Sequence, residues 1–527
     1  MRIWIVGMEC AGIAEAGGVK NVVYALCREF HSLGHEVTLF IPEFGCTDRT
    51  GVEFTGDARS AAVSLCGREE TVTFHKARSV RGGFGVVLVG HRAFSEKKGV
   101  YTYTESEQER NPSHVRGTGH TDMLFMDTLF QKAVCVWGTS GLCGDGIPDI
   151  IHCQDASTAV LPAYMMRSGM FPGTVCAVTV HNAGPAYHHN FRDTDEADWY
   201  TGLGREFISR TLNSGRPEPF LMALNSGAAL TTVSEEYADE LTDPGNSAET
   251  DGLSVIFHER GTKIKGITNG IDFSLYDPED TGISLLPYSF SPERGELDGK
   301  YRCREFLLSG LLHCGKGGLI PGNIRQYGYI SPSDGGAEVF AAYHGRITAQ
   351  KGIDVLLRSV PALAENFPGL RFVIAGQGEA ALEERIVRMT EELPGRIVFL
   401  NGYDRAVARL SAAACDLIIL PSLFEPCGLE DFIAQIYGTI PVAHKTGGLN
   451  KILDRRTGFL YRDNTELSLT AKLSEAVSMV IYGSAAKRRM IRTAARYVHR
   501  NFRWSQVASK KYIPFFREIL RNRTSRD

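Results

Sequence analysis

The apolar positions of the chain fall into a repeating strand and helix rhythm. Ile3–Val6 is a short unbroken apolar run, followed by a loop holding Gly12, Gly17 and Gly18 and then by apolar residues at Val19, Val22, Val23, Leu26, Phe30 and Leu33. That second spacing is helical, and Gly34 stands where a C-terminal cap belongs. His35–Ile41 predicts a second strand that Pro42 ends, so the opening is a βαβ unit with a right-handed crossover. Further strands are predicted at Gly85–Val89, Ile150–His152, Val175–Val180 and Leu230–Val233, with helices over Asp122–Trp137 and Ser234–Leu241. In the second half, strands at Val339–Tyr343, Arg371–Ala375, Arg396–Leu400, Asp416–Leu420 and Ile440–Ala443 alternate with helical segments. Near-continuous apolar strands between amphipathic helices predict a parallel sheet covered on both faces. Residues 277–301 are rich in Pro, Gly, Ser and charge, the pattern of a linker or surface insertion.

Composition narrows the class. A chain of 527 residues is too long for one core, so two large domains or three smaller ones are expected. The two α/β halves place them at 1–262 and at 263–497, with an insertion near 277–335. A formal net charge of −4 gives no basic footprint for nucleic acid or a membrane surface. The first apolar run is short and is interrupted by Glu9, which argues against a signal peptide. No run approaches the length of a membrane span. The 12 cysteines are scattered without a C-x-x-C pair, and Cys27 and Cys176 lie in apolar runs, so a reducing cytoplasm is expected.

Ligands of parallel sheets collect beyond the carboxyl ends of the strands, so the loops there carry the candidate chemistry. His344–Gly352 places Arg346 and Lys351 between a strand and a helix. Two cations beside a helix N-terminus can neutralise the charge growing on a leaving diphosphate without metal. One such cation about 4 Å from a phosphate oxygen contributes ~4 kcal/mol at an effective dielectric near 20. Pro421–Leu429 follows the strand at Asp416–Leu420, and its Glu425 can accept hydrogen bonds from sugar hydroxyls. Thr446-Gly447-Gly448-Leu449 follows another strand and echoes Ala16-Gly17-Gly18-Val19 near the start. In the first half, His181-Asn182 and His152-Cys153-Gln154-Asp155 end apolar strands. A histidine there can serve as a neutral hydrogen-bonding group as well as a base.

Together these segments resemble the bacterial glycogen synthases and plant starch synthases. The matching pieces, in the family's order, are Ala16–Val19, His152–Ala159, Thr179–Asn182, Thr232–Tyr237, Gly266–Asp272, Gly345-Arg346 with Gln350–Gly352, Phe424–Leu429 and Lys445–Leu449. The resemblance implies an α/β fold of two Rossmann-like domains facing across a deep cleft, the GT-B architecture. It also implies that the tail, 498–527, crosses back onto the first domain. The implied activity is retaining transfer of glucose from ADP-glucose to the non-reducing end of an α-1,4-glucan, with no metal and no bound cofactor. Arg346 and Lys351 would hold the donor diphosphate, helped by backbone groups of Gly17, Gly18, Thr446, Gly447 and Gly448. Glu425 would orient the glucose beside Cys427, Gly428 and Leu429. His181 would contact the sugar, Asp155 and Asn182 would shape the cleft, and Tyr403 would stack on the base.

Two departures from the family pattern bear on donor choice. The bacterial family usually has lysine before its first glycine loop, where this chain has Glu15. A carboxylate there weakens diphosphate binding unless it points away, and Lys20, in the first turn of the next helix, is the candidate compensating cation. The family's His-Asp-Trp segment is Gln154-Asp155-Ala156 here. These leave open UDP-glucose as donor, another acceptor, and a catalytically impaired glucan- or nucleotide-binding homologue. A dinucleotide-binding protein fits worst, because the first loop lacks G-x-G-x-x-G.

Overall fold

A computed structural model describes residues 1–142, 146–169, 171–311, 320–331 and 337–524. The chain divides into one unit of residues 1–269 with 504–527 and a second of 270–503, against boundaries at 262 and 497 expected from the sequence.

The first unit is built on β1 (Arg2–Val6), β2 (Glu36–Pro42), β3 (Val52–Phe54), β4 (Arg59–Leu65), β5 (Arg68–Ser79), β6 (Gly85–Gly90), β7 (Ile150–Gln154) and β8 (Val175–Val180). A small ribbon of β9 (Leu212–Asn213) and β10 (Arg216–Pro217) follows, then β11 (Ala229–Thr232) and β12 (Ile264–Gly266). The main sheet runs β12-β11-β8-β7-β1-β2-β6-β5-β3, with β4 also paired to β5. Strands β12 through β6 in that order are parallel, while β5 joins antiparallel to β6. The sequence reading has no counterpart of β3, β4 and β5. Their outer faces are polar, and of their apolar residues only Val52, Val63, Leu65, Val72, Phe74 and Ala77 are buried. The β4–β5 hairpin turns on Cys66 and Gly67 at φ 52° and 72°, the doubly left-handed conformation that a two-residue hairpin requires.

β1 has β7 on one side and β2 on the other, so the strand order reverses there and the loops after β1 and β7 splay apart. The helix Val19–Ser32 buries Val22, Val23, Leu26, Cys27 and Phe30, as its spacing requires. The tail, with Trp504–Val507 and Ile513–Thr524 helical, packs on this unit, placing Tyr512 and Phe516 6.0 and 5.5 Å from the Phe30 ring.

Those two tail rings also enclose His152, at 5.6 and 5.5 Å. Its Nε2 is 2.7 Å from Thr179 Oγ1, which is 2.7 Å from Thr231 Oγ1. His152 is therefore a core residue. Burial pushes its pKa down to about 3, with His181 adding to the shift. The unfolded chain has the ordinary value near 6.5, so this contribution to stability is complete above about pH 6.5 and is lost as pH falls toward 3. The loss from this group reaches about 2 kcal/mol near pH 5. The unfolding midpoint of His152→Gln should accordingly fall less between neutral pH and about pH 5 than that of the parent.

The second unit contains β13 (Arg325–Gly328), β14 (Val339–His344), β15 (Leu370–Gly376), β16 (Ile397–Asn401), β17 (Leu417–Leu420), β18 (Ile440–His444) and β19 (Phe459–Tyr461) in the order β13-β16-β15-β14-β17-β18-β19. All neighbours are parallel except β13, antiparallel to β16. Both faces are covered: Phe340, Ala342, Val398 and Ile418 join one core, and Ala341, Tyr343, Phe399 and Ile419 the other.

Residues 277–301 are not a linker. Leu286, Phe290, Leu297 and Cys303 are buried, and a helix spans Asp298–Leu311. Part of the insertion expected at 277–335, residues 312–319 and 332–336, lies outside the described residues. Lys300 explains why the composition misleads. Its ammonium is fully buried and donates to the carbonyls of Ala413, Cys415 and Tyr437 at 2.6, 2.7 and 3.2 Å and to Thr439 Oγ1 at 2.7 Å. Burial pushes its pKa down to about 7, and the nearby Arg304 guanidinium adds to that. Beside it, burial alone would raise the Asp416 carboxyl, but Arg304 at 2.9 Å and Lys487 at 2.7 Å hold it well below the usual range. A segment that reads as charged and exposed thus anchors one end of the sheet.

Candidate functional site

In the second unit the strand order reverses at β14, between β15 and β17, so the loops after β14 and β17 flank an opening at the sheet's carboxyl edge. Those loops carry Arg346 and Lys351 on one side and Glu425 on the other. They touch through the backbone. The Leu423 N–H donates to the Gln350 carbonyl at 2.9 Å, and a Cβ on Gly352, at φ 66°, would stand 1.9 Å from the Pro421 oxygen. Only glycine permits that approach. It brings Lys351 Nζ to 2.5 Å from Glu425 Oε2, which also accepts from Ser422 Oγ at 3.1 Å. Arg346 is exposed; its carbonyl accepts from Tyr343 Oη at 3.0 Å, and among the described residues its guanidinium has no ion-pair partner.

The third piece is the turn after β18. The Gly448 N–H donates to the Glu425 carbonyl at 2.8 Å, and Thr446 Oγ1 to the Leu423 carbonyl at 3.2 Å. A Cβ at Gly448 would stand 2.0 Å from the Cys427 oxygen, so the Phe424–Leu429 loop and the glycine turn are in backbone contact. Lys451, which the sequence reading passed over, locks them together. It is paired with Asp431 at 2.9 Å, donates to the carbonyls of Gly428 at 3.1 Å and Gly448 at 2.9 Å, and also donates to that of Cys427. Burial pushes the Asp431 carboxyl up to about 6, with Lys451 opposing the shift. Gly428 sits at φ 76°, and Leu429 precedes the first turn of Glu430–Ile436. Lys351, Glu425, Cys427, Gly428 and Thr446–Gly448 are thus one connected group, with Arg346 on the same loop as Lys351. Tyr403 is 67% exposed in the loop after β16, two strands or about 10 Å from β14, where its ring is open to a flat ligand.

In the first unit the loop after β1 folds around a buried carboxylate. Glu9 Oε2 accepts from the Ala16 and Gly17 N–H groups at 2.9 and 2.7 Å. The Gly17 amide is therefore already engaged, whereas the space beside Gly18 is open. Glu15 accepts from the Gly12 N–H at 2.7 Å and pairs with Lys20 at 3.0 Å. Its charge is matched within the loop by the cation five residues on. Lys20 does lie next to Glu15, but it is spent there in part.

The loop after β7 begins with Asp155 at φ 67°. Its Oδ1 accepts from the His181 N–H at 3.3 Å, and burial pushes its pKa up to about 7 against the opposing pull of His189. His181 Nε2 is 2.8 Å from Gln154 Oε1, and burial pushes its pKa down to about 4. It is therefore neutral near pH 7 and acts as a hydrogen-bonding group. Asn182 Oδ1 accepts from the Gly184 N–H at 2.8 Å. Around Asp155 stand groups that no spacing pattern marked. His189 lies 2.5 Å from Asp127, and Tyr101 stands within electrostatic reach of Glu9, Asp155 and Asp127. Burial raises the Tyr101 hydroxyl well above its ordinary pKa. The one sequence signal for this cluster was Glu9, a carboxylate breaking an apolar stretch at a strand end.

Among the described residues no group of three or more His, Cys, Asp or Glu side chains is placed to hold a metal ion, and no helix is long and apolar enough to cross a membrane.

Residues 2–255 match the family described as the starch synthase catalytic domain, and residues 339–488 match the glycosyl transferases group 1. The glycogen synthase of Thermodesulfovibrio yellowstonii is 29% identical, the alignment covering 99% of each chain, and glycogen synthase 2 of Geobacter sulfurreducens is 28% identical over 97% of each. The catalytic domain of starch synthase IV from Arabidopsis thaliana, bound to ADP and acarbose, superimposes with a TM-score of 0.77 at 23% identity, covering 98% of this chain and 99% of that one. Sucrose-phosphate synthase from Thermosynechococcus elongatus shares the fold more distantly, at a TM-score of 0.54 and 14% identity over 99% of both chains. Two parallel Rossmann-like sheets, each with its strand-end loops carrying polar residues, together with these matches define a hexosyltransferase of the glycosyltransferase class. Within it, the chain resembles the glycogen and starch synthases along nearly its whole length.

Proposed function

We propose that the protein transfers glucose from ADP-glucose to the 4-hydroxyl at the non-reducing end of an α-1,4-glucan, with retention at the anomeric carbon. The observation that carries this is the connected group of Lys351, Glu425 and the Thr446–Gly448 turn at the point where the second sheet reverses order. In the reaction the bond from C1 to the phosphate oxygen breaks while the acceptor oxygen bonds to C1 on the same face. The hydroxyl proton passes to the departing phosphate. Negative charge builds on the diphosphate, and Arg346 and Lys351 stand where a pyrophosphate at this strand edge would meet them. Glu425, already held by Lys351 and Ser422, is preorganised to accept from sugar hydroxyls. His181, on the first unit, is a neutral hydrogen-bonding group that adds no charge. The exposed ring of Tyr403 offers a stacking face for the base.

The direct test incubates the purified protein with ADP-glucose or UDP-glucose and a glucan primer, and measures nucleotide release and chain growth. Faster release and growth with ADP-glucose is expected. Faster use of UDP-glucose would reverse the donor assignment. A second reading, a glucan-binding homologue without turnover, is favoured by Glu15 in place of the family lysine and by Gln154-Asp155-Ala156. Glucan binding without nucleotide release from either donor is its signature.

A further inference from the structure

The chain has four tryptophans, and three of them, Trp4, Trp137 and Trp504, are no more than 4% exposed. Trp199 is 61% exposed. It lies on the helix Thr194–Thr201, which is seated through Ala197 and Thr201, so Trp199 projects from the opposite side. The helix is fixed at both ends: Asp193 accepts from the Glu196 N–H, and Gly202 closes it at φ 67°. The tip of the β4–β5 hairpin lies near the indole. A Cβ on Gly67, at the tip of the β4–β5 hairpin, would stand 3.7 and 4.0 Å from the edge of its six-membered ring. One helical turn back, Asp195 pairs with Arg205 at 3.1 Å, and both side chains are 69% exposed.

We propose that Trp199, flanked by the Asp195–Arg205 pair, is an auxiliary platform that holds a glucan chain on the first unit. The inference rests on the proposed acceptor being an α-glucan polymer. The sugar units behind the reacting end of such a polymer need a surface to lie on. The C–H-lined face of a glucose ring complements the electron-rich face of an indole, and its rim of hydroxyls needs donors and acceptors beside the ring. Trp199 supplies the first, and Asp195 and Arg205 the second. A protein partner is a poorer fit. Hot-spot aromatics sit in patches that exclude water, whereas this ring stands among the charges of Asp195, Glu196 and Arg205.

The arrangement makes the test simple, since Trp199 is the one exposed indole. Titration with maltoheptaose should quench and blue-shift the tryptophan emission of the parent and leave Trp199→Ala unchanged. Trp199→Ala should also raise KM for glycogen about tenfold, as loss of one stacked ring does elsewhere, while kcat and KM for maltotetraose stay at parental values. Equal glycogen KM in parent and variant, or no emission change at saturating maltoheptaose in a parent that elongates glycogen, would overturn the platform alone. A parent that neither binds nor elongates glucan would instead overturn the acceptor assignment. A change in the variant's elution volume, showing a lost contact between copies, would overturn it in favour of an oligomer interface.

Discussion

Lys351→Ala should lower kcat by about 10²–10³-fold while leaving the unfolding midpoint close to that of the parent. The first half of this expectation follows from position. Lys351 is on the loop after β14 at the reversal point of the sheet, with Arg346 on the same loop. A cation there does little for the bound donor in its ground state and much for the departing diphosphate, so the loss falls on kcat more than on KM. The second half follows from burial. The Lys351 and Glu425 side chains remain 23% and 18% exposed, and ion pairs with access to water contribute only about 0–1 kcal/mol. Glu425→Gln should show a similar kcat loss, and the double variant should lose less than the two single losses multiplied, because each residue holds the other. Parental turnover in Lys351→Ala would remove the assigned role.

Lys451→Met has the opposite profile: its main effect is on stability, at about 3–5 kcal/mol. Lys451 and Asp431 are 5% and 0% exposed in their side chains, and their 2.9 Å pair is closed off from water. Removing the cation leaves a buried carboxylate uncompensated and takes the shared donor from the carbonyls of Cys427, Gly428 and Gly448. Asp431 is already pushed up to about 6 by burial, so without Lys451 it will take a proton rather than stay charged. The paired replacement Lys451→Met with Asp431→Asn should recover more than half of the lost stability, since no lone charge then remains. Chemical unfolding of the three proteins reads this directly. A single variant as stable as the parent would show that the lysine is not what locks the two loops.

These two lysines also show what the sequence could and could not reveal. Lys351 was legible because it sits in a loop between an apolar strand and a helix, the place where parallel sheets bind ligands. Lys451 was not, because a lysine after a glycine turn reads as solvated, and its burial depends on three carbonyls and a carboxylate brought in from loops far along the chain. The same limit hid Lys300, whose cage of oxygens comes from residues 413–439. The parallel strands were readable as apolar runs. The antiparallel β3, β4 and β5 were not, since one face meets solvent and their apolar residues are sparse. In the first unit, Asp155 and His181 stood at strand ends where pattern reasoning looks. Tyr101, Asp127 and His189 come from irregular segments and a helix flank, and only folding assembles them. Glu15 had been an apparent obstacle to an anionic ligand, and its pairing with Lys20 and the Gly12 N–H is a matter of side-chain direction that no spacing encodes.

The most direct measurement is a structure of the protein with ADP bound. The diphosphate oxygens should lie within hydrogen-bond distance of Arg346 and Lys351 and against the Thr446–Gly448 turn, with the adenine on Tyr403. A nucleotide seated elsewhere, with both cations facing only water, would contradict the account.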